Sequence, residues 1–451
     1  MQRRQTLALR HFRPESCPAA GRAARALCLA ALACLALNDA SRAEVRTVPT
    51  PGLYDTIQQA VDQSQNGDVI IVEAGSYAGF AIEGVGIAVE SAPEAFVLVT
   101  STVELNNVPS GQHTLLRGLQ CAAPAASSGP ALIATDCAGE VRVEACTWRG
   151  ANALPGSYSP YTPAAPGSSA VRVSDCASVV FSACVFVGGE GAWLEDEDLH
   201  PNASAGGNGL LAVNSNVALY ASTLRGGSGG TVFDTTTKPG GAGGSGLHAD
   251  SSTVFASSCS FLGKDGGFAD CDFFLGGCGT NGSGGHGARL SNSNGSWRAC
   301  TFTGGSAGSG PNAGAPGLPI VVAQGDFLEL AGPPLQHFAS SPVLSGELAK
   351  LRFVAPAGHA ALIAIAAGPA PATVPLPSAG PAFIQIAGVQ VLFLGLVRGT
   401  GNASFNIATP GGAAALPPGT IVHLQGVLLD PLTGAIHLAD PSHVTLIASA
   451  P

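Results

Sequence analysis

The chain of 451 residues carries 61 glycines and 32 prolines, only 11% charged residues, a formal net charge of −10 and a mean hydropathy of +0.30. Coiled coils and helical repeats need far less glycine and far more Ala, Glu, Lys, Leu and Arg, while disorder needs low hydropathy and high charge. Those classes are excluded, which leaves a turn-rich, mostly β chain with a large apolar interior. At the N-terminus Arg3, Arg4, Arg10, Arg13, Arg22 and Arg25 precede an apolar run from Ala26 to Leu37, and Ser41-Arg42-Ala43 fits a small-x-small cleavage site. Residues 1–43 therefore read as a secretory signal peptide cleaved near Ala43, with an apolar run too short to span a bilayer. The expectation is a secreted or cell-surface protein with no membrane span. Without the leader, 13 of the 20 Lys and Arg and 28 of the 30 Asp and Glu remain. That balance disfavours nucleic acid and anionic membrane surfaces as partners. Nine of the twelve cysteines also remain, and an odd number leaves at least one outside any intramolecular disulfide.

The next stretch reads Thr56-Ile57-Gln58-Gln59-Ala60-Val61, then Asn66-Gly67-Asp68-Val69-Ile70, then Glu73-Ala74-Gly75-Ser76-Tyr77. Ile57, Ala60 and Val61 share one face of a helix, suited to cap an open β edge. These residues, with the later Leu116-Arg117-Gly118-Leu119, resemble the entry module and early coils of pectin-lyase-like right-handed parallel β-helices. The resemblance implies that fold over roughly residues 50 to 310. It is silent on activity, because the superfamily includes lyases, hydrolases, esterases, adhesins and non-catalytic proteins.

Self-similarity organises the chain from about residue 114 to residue 305. Anchored on Cys146, Cys184, Ser222, Cys259 and Cys300, five segments recur at spacings of 38, 38, 37 and 41 residues. Position −5 reads Val141, Val179, Val217, Val254, Gly295, and position −3 reads Val143, Phe181, Leu219, Ala256, Trp297. Position +2 reads Trp148, Phe186, Leu224, Phe261, Phe302, and position +4 is always glycine. An earlier copy places Thr114, Leu116, Leu119 and Cys121 at the same offsets. Apolar pairs two apart have strand periodicity with one buried face, and the three-residue step from −3 to the anchor marks a corner. A third pair precedes each: Val171/Val173, Leu210/Ala212, Leu247/Ala249, Ala288/Leu290. Three short strands per turn describe a coil of a β-solenoid, its coils stacked about 4.8 Å apart. The predicted fold is all-β: a right-handed parallel β-helix over 44–306 with an N-terminal capping helix.

A coil of three short strands takes about 22 residues, so each period carries an insertion of about 15–19. The insertions, roughly 153–169, 192–208, 231–245 and 268–286, must gather on one flank. They hold Tyr158 and Tyr161; Trp193, Glu195, Asp196, Glu197, Asp198 and His200; Asp234 and Lys238; and Asp270, Asp272, Phe273, Phe274 and His286. Aromatics beside carboxylates suit glycan binding, and the plainer alternative is an ordinary surface loop. The acidic run offers hard oxygens to Ca²⁺, but without the spacing of a calcium loop it reads as a solvated charge patch. Gly285-His286-Gly287 resembles the Gly-His-Gly of polygalacturonases, with Asp270 and Asp272 upstream, though the family's Asn-Thr-Asp and Arg-Ile-Lys elements are missing. His286 also stands where Asn208 and Ser245 stand in the repeated Gly-Gly-x-Gly turn. Outward residues of the third strand read Arg172, Leu211, His248, Arg289, a column able to meet an acidic sugar. His248, Arg289, Asp270, Asp272 and His286 are thus the catalytic candidates; Trp193, Glu195, Asp196, Asp198, Asp234 and Phe273 are the binding candidates. Cys271 and Cys278 form the expected local disulfide, and no zinc spacing is present.

Residues 307–319 read as a Gly/Pro linker, and 320–451, with alternating or continuous apolar runs, as a small β-sandwich-like domain. Two functions stay open. One is a non-catalytic protein that binds polysaccharide or cell-surface material or is structural; the other is a polysaccharide lyase or glycoside hydrolase.

Overall fold

The computed structural model describes residues 43–447, apart from 124–128, 155–156, 159–160, 163–164, 193–202, 233–238, 270, 272–277, 311, 331–335, 345, 367–368, 377–379, 385–389, 398–400 and 410–419. Three parallel sheets, one of ten strands and two of eight, wind together into a parallel β-helix. The repeat columns are the register: Val141 pairs with Val179, Val179 with Val217, Val217 with Val254, and Val254 with Gly295. Thr114 and Leu116 precede them opposite Val141 and Val143. A residue at a given offset meets its counterpart on the next rung, so apolar columns close into one continuous core.

Size varies along each column and neighbours compensate. Trp297 follows Ala256 on the next rung and meets Phe261 edge-to-face at 5.3 Å. The corners follow from sequence as well. The residue before each anchor, Ala145, Ala183, Ala221, Ser258 and Ala299, has φ between 47° and 58°, which lets the chain turn within a three-residue step. A second corner lies at Asn107, Asp136, Asp175, Asn214, Ser251 and Asn292, also at positive φ. Asn and Asp tolerate this left-handed conformation best.

Helix Ile57–Asp62 caps the first coil, burying Ile57, Ala60 and Val61 in the solenoid core. A reciprocal capping box starts it: the Thr56 hydroxyl accepts from the Gln59 N–H, and the Gln59 side chain accepts from the Thr56 N–H.

The far end lies beyond the expected boundary. Ile320–Val322 adds a strand to Ala288–Ser291, and Phe327–Glu329 adds one to Asn294–Arg298, so the solenoid runs through Glu329 rather than ending at 306. Residues 307–319 are correspondingly part of the last coil: Gly308 donates to Gly282, and Gly317 to Gly305. Their linker-like composition is that of the glycine segments in every preceding coil.

From Gln336 onward the chain forms a small β domain. A three-stranded and a five-stranded sheet enclose Leu351, Phe353, Ile363, Ile365, Leu424 and Leu428. Its last strand, Ile436–Ile447, lies across the outer face of the ten-stranded sheet. Ile447 packs with Val69 and Ile71 near the first coil, while His437 feels the charge of Arg298 seven rungs away. Ten residues at about 3.3 Å each match seven rungs at about 4.8 Å, so this strand runs along the solenoid axis.

Candidate functional site

The described ends of the insertions stack and form a layer rather than loops. Outgoing segments bond to outgoing segments at every third residue: Gly188 and Gly191 donate to Arg225 and Ser228, and Gly226 and Gly229 to Leu262 and Asp265. Returning segments do the same, with Gly206 donating to Ala242, Gly243 to Ser283 and Gly284 to Ala315. Bonds also cross between the sets, from Gly207 to Gly189, Gly227 to Gly207 and Gly244 to Gly227. A three-residue period with bonds only between segments is the geometry of extended threefold helices. Glycine is demanded by proximity: a Cβ on Gly227 would stand 1.9 Å from the Gly189 carbonyl oxygen, and one on Gly285 1.9 Å from that of Gly244. The clue in the sequence is Gly-Gly-x-Gly-Gly at 226–230 and 240–244, a period of three that resembles a run of tight turns.

Trp193, Glu195, Asp196, Asp198, Asp234, Asp270, Asp272 and Phe273 fall outside the described residues, and with them the acidic run weighed for Ca²⁺. Cys271 and Cys278 are described and form a disulfide that closes the fourth tip. Among the described residues the other seven cysteines are free thiols, six of them buried. Burial pushes Cys146 up to about 12 and Cys184 well above its ordinary value, so these are inert packing groups.

Of the catalytic candidates, His248, Arg289 and His286 come together. Arg172, Leu211, His248 and Arg289 occupy successive rungs on the outer face of one eight-stranded sheet. His248 is held below its ordinary value by partial burial, then by Arg289 and His286, against an opposing pull from Asp250. Partial burial and Arg289 lower His286 too. The Nδ1 of His286 accepts from the Leu318 N–H at 3.0 Å, and Asn208 Oδ1 accepts in the same way from Ser245 at 3.0 Å. His286 thus stitches adjacent rungs, as its position in the repeated turn suggests. Both imidazoles are neutral at pH 7 beside an exposed guanidinium, a surface that attracts an anion and offers a base.

A second cluster, which the sequence does not announce, lies under the C-terminal domain. Glu90, Arg117 and Glu144 alternate in charge on three consecutive rungs of the ten-stranded sheet. Thr445 donates from its hydroxyl to Glu90, and Ser341 donates to the same carboxylate at 3.0 Å. His443 Nδ1 lies 2.9 Å from Glu144, and its Nε2 3.6 Å from Glu90. Arg117 donates to the Ala339 carbonyl at 2.7 Å, and Arg142 to Ser442 at 3.4 Å while pairing with Glu140 at 2.6 Å. Burial would raise Glu144, but the charge and hydrogen bond of His443, with Arg117 and Arg142, bring it down to about 2. Burial lowers His443, and Glu144 and Glu90 more than reverse this, so it is held charged above its ordinary value. Across the seam His113 and His423 meet edge-to-face at 4.7 Å. Burial, Arg142 and His443 push His113 down to about 4; burial, His113 and Arg142 drive His423 well down. The signal in the sequence is Glu140-x-Arg142-x-Glu144, which puts three charges on one strand face that must then find cover or water.

Among the described residues no three His, Cys, Asp or Glu side chains are grouped to hold a metal ion, and no helix is long and apolar enough to cross a membrane. Neither a protein-family model nor a curated protein matches the chain.

Proposed function

We propose that this chain is an exported, non-catalytic β-helix that binds polysaccharide or cell-surface material, with an acidic sugar lying along the stripe Arg172–Leu211–His248–Arg289. Export is read from residues 1–43, and kinship with pectin-lyase-like proteins from the residues between Thr56 and Tyr77. The observation that carries the binding reading is the register, which sets His248 beside Arg289 with Arg172 two rungs further on the same exposed face. Leu211 between them gives the apolar face of a sugar ring something to rest on. The chain's net negative charge opposes an acidic polymer only weakly at this distance. At physiological salt the screening length is about 8 Å, so the local guanidinium groups dominate. Trp193, Glu195, Asp196, Asp198, Asp234 and Phe273, which lie outside the described residues, are proposed as further sugar contacts on their residue types alone.

The test is retardation of the leaderless protein in gels cast with polygalacturonate, compared with a neutral glucan. Binding to the acidic polymer that falls at least about tenfold in an Arg172→Ala/Arg289→Ala double variant supports the stripe. Equal retardation of variant and parent would refute it.

A lyase is favoured as a second reading by one observation, the lowered His248 imidazole next to Arg289. A neutral imidazole can take the proton alpha to a uronate carboxylate, whose charge a guanidinium neutralises. The glycosidic C–O bond at the beta carbon breaks, leaving a carbon–carbon double bond and a departing oxygen that takes up a proton. Absorbance of unsaturated products from uronate polymers, with and without Ca²⁺, separates the two readings: product lost in His248→Ala supports catalysis, and no product supports binding alone.

A further inference from the structure

Three buried arginines, Arg46, Arg142 and Arg298, and the part-buried Arg117 can be compared within this fold. Arg46 pairs with Asp68 and Glu44, Arg117 with Glu144, and Arg142 with Glu140. Arg298 differs. It lies in the same outward column as Tyr220 and Ser257, on the rung after Ser257, and is 1% exposed beneath the C-terminal domain. Among the described residues no carboxylate reaches it, and neither Nε nor Nη1 has an acceptor. Glu329, the acid on the next rung, stands in the Trp297 column, which faces the other way. Two more buried polar atoms lack partners among the described residues: Ser257 Oγ, on the rung adjacent to Arg298, and Nδ1 of His437, whose imidazole feels the Arg298 charge. A buried guanidinium without a counter-charge is strongly destabilising, and proteins rarely retain one unless something compensates it.

We propose that Arg298, Ser257 and His437 form a binding site for a small oxyanion at the seam between the solenoid and the C-terminal domain. The set can present four donors to an anion: two guanidinium N–H groups, a hydroxyl turned to donate, and the imidazole in its Nδ1–H tautomer, with one formal positive charge. Planar guanidinium geometry suits a carboxylate or an inorganic oxyanion, which takes two parallel hydrogen bonds from it. The site is covered by the strand Ile436–Ile447, so a polymer chain does not thread it and the ligand is small. Burial already holds the Arg298 guanidinium below its ordinary value, and its charge contributes to lowering His437. An anion relieves both effects. It then becomes a third component of domain docking, joining a solenoid rung to the strand that covers it.

The test is thermal denaturation of the leaderless chain at constant ionic strength, with millimolar sodium sulfate in one arm and sodium glucuronate in the other. The expected result is a rise in the wild-type midpoint of roughly 3 °C or more in at least one arm. Arg298→Met, which removes the buried charge, should have a higher midpoint than wild type without anion and should not respond to either salt. A response to glucuronate alone identifies a sugar carboxylate as the ligand; a response to sulfate identifies a free oxyanion. A wild-type midpoint unmoved by both salts, or an equal rise in Arg298→Met, overturns the proposal. Should Arg298→Met fail to fold, Ser257→Ala and His437→Gln serve instead. Each should weaken the anion response by about tenfold in concentration, and unchanged responses in both would count against the site.

Discussion

Each coil solves the problem of stacking twice, by opposite means. On the three-sheet side, columns such as Trp148 between Cys121 and Phe186 interlock through buried side chains. On the insertion side, Gly207, Gly227 and Gly244 interlock through backbone N–H and C=O groups, with no side chain between them. The first side tolerates residue exchange where neighbouring columns compensate in size: the +2 column holds Trp, Phe, Leu and even Cys. The second is far stricter at its glycines, since a Cβ on Gly227 falls inside the neighbouring backbone, although Lys264 holds the equivalent place in a later coil and Ser168 in an earlier one. The apolar columns of this solenoid therefore vary more freely than its glycine layer, where Lys264 and Ser168 are the exceptions among bonded glycines.

The strongest way to break this contrast is to put a side chain in the glycine layer. Gly227→Val places carbon 1.9 Å from the Gly189 carbonyl, and real Cβ atoms do not come that close. The layer must separate there, breaking bonds in both directions, so the loss should be about 4 kcal/mol or more. Chemical denaturation of the purified variant would show a large fall in midpoint or no folded protein. A midpoint within a small margin of wild type would mean that the layer contributes little.

Next in size is a truncation on the opposite side. Trp148 is fully buried at the centre of its column. Trp148→Ala should cost about 3–5 kcal/mol through lost transfer free energy and the cavity left behind. Because the neighbouring rungs supply Cys121 and Phe186, part of that cavity can close, and the coil should still form. The same denaturation experiment ranks the two sides directly. If Trp148→Ala proved more damaging than Gly227→Val, the glycine layer would be the more tolerant side.

The apolar side is the legible one. Offsets −5, −3, 0 and +2 reveal the register because a parallel solenoid places equal offsets on adjacent rungs, as Val141 and Val179 do. The last coil escapes notice because its glycine segment, at 304–317, looks like a linker when taken alone. The glycine layer passes for turns, since its period of three matches neither helix nor strand. The C-terminal seam is hidden for another reason: Glu90, Arg117 and Glu144 sit at outward positions, which ordinarily face water. No periodicity reveals that another domain covers them. Among candidate site residues, the column His248–Arg289 and the rung-linking role of His286 are legible from the repeat. The residues of the insertion tips have no counterpart in the repeat from which to infer their placement.

Apart from His286, whose Nδ1 accepts from the Leu318 N–H in the insertion layer, neither side of the coil relies on charge, so pH sharpens the comparison by acting mainly at the seam. His113, brought to about 4, and His423, also lowered, resist protonation when docked, whereas the undocked groups titrate near 6.5. As pH falls from 6.5 towards 4, the undocked form therefore binds protons that the docked form excludes, and docking weakens. His113 alone accounts for a loss on the order of 3 kcal/mol by pH 4. Glu144 adds a further loss between 4.5 and about 2, partly offset by Glu140, which burial raises and acid relieves. His443 has the opposite sign: its contribution is complete below 6.5 and is lost as pH rises through its elevated value. Small-angle X-ray scattering should show the particle expanding by pH 4 while the far-ultraviolet signal of the coils persists. His423→Gln should expand less sharply with acid than wild type, and an unchanged radius throughout would contradict acid-weakened docking.

The smallest effect belongs to a substitution that the repeat has already made for itself. Cys184 and Ser222 hold the same corner on adjacent rungs, and each donates to the carbonyl two residues before it. The Ser222 hydroxyl also accepts the Cys184 N–H at 3.1 Å. A hydroxyl at position 184 would find the Ser182 carbonyl waiting, so it need not be buried unsatisfied. Cys184→Ser should therefore cost less than about 1.5 kcal/mol, far less than either earlier variant. Cys184→Val loses the bond to that carbonyl but keeps the packing, and should fall in the same range. A large loss in the serine variant with none in the valine variant would show that the column selects for apolarity, whereas similar small losses would show that it selects for size. Ser222 standing between Cys184 and Cys259 argues for size.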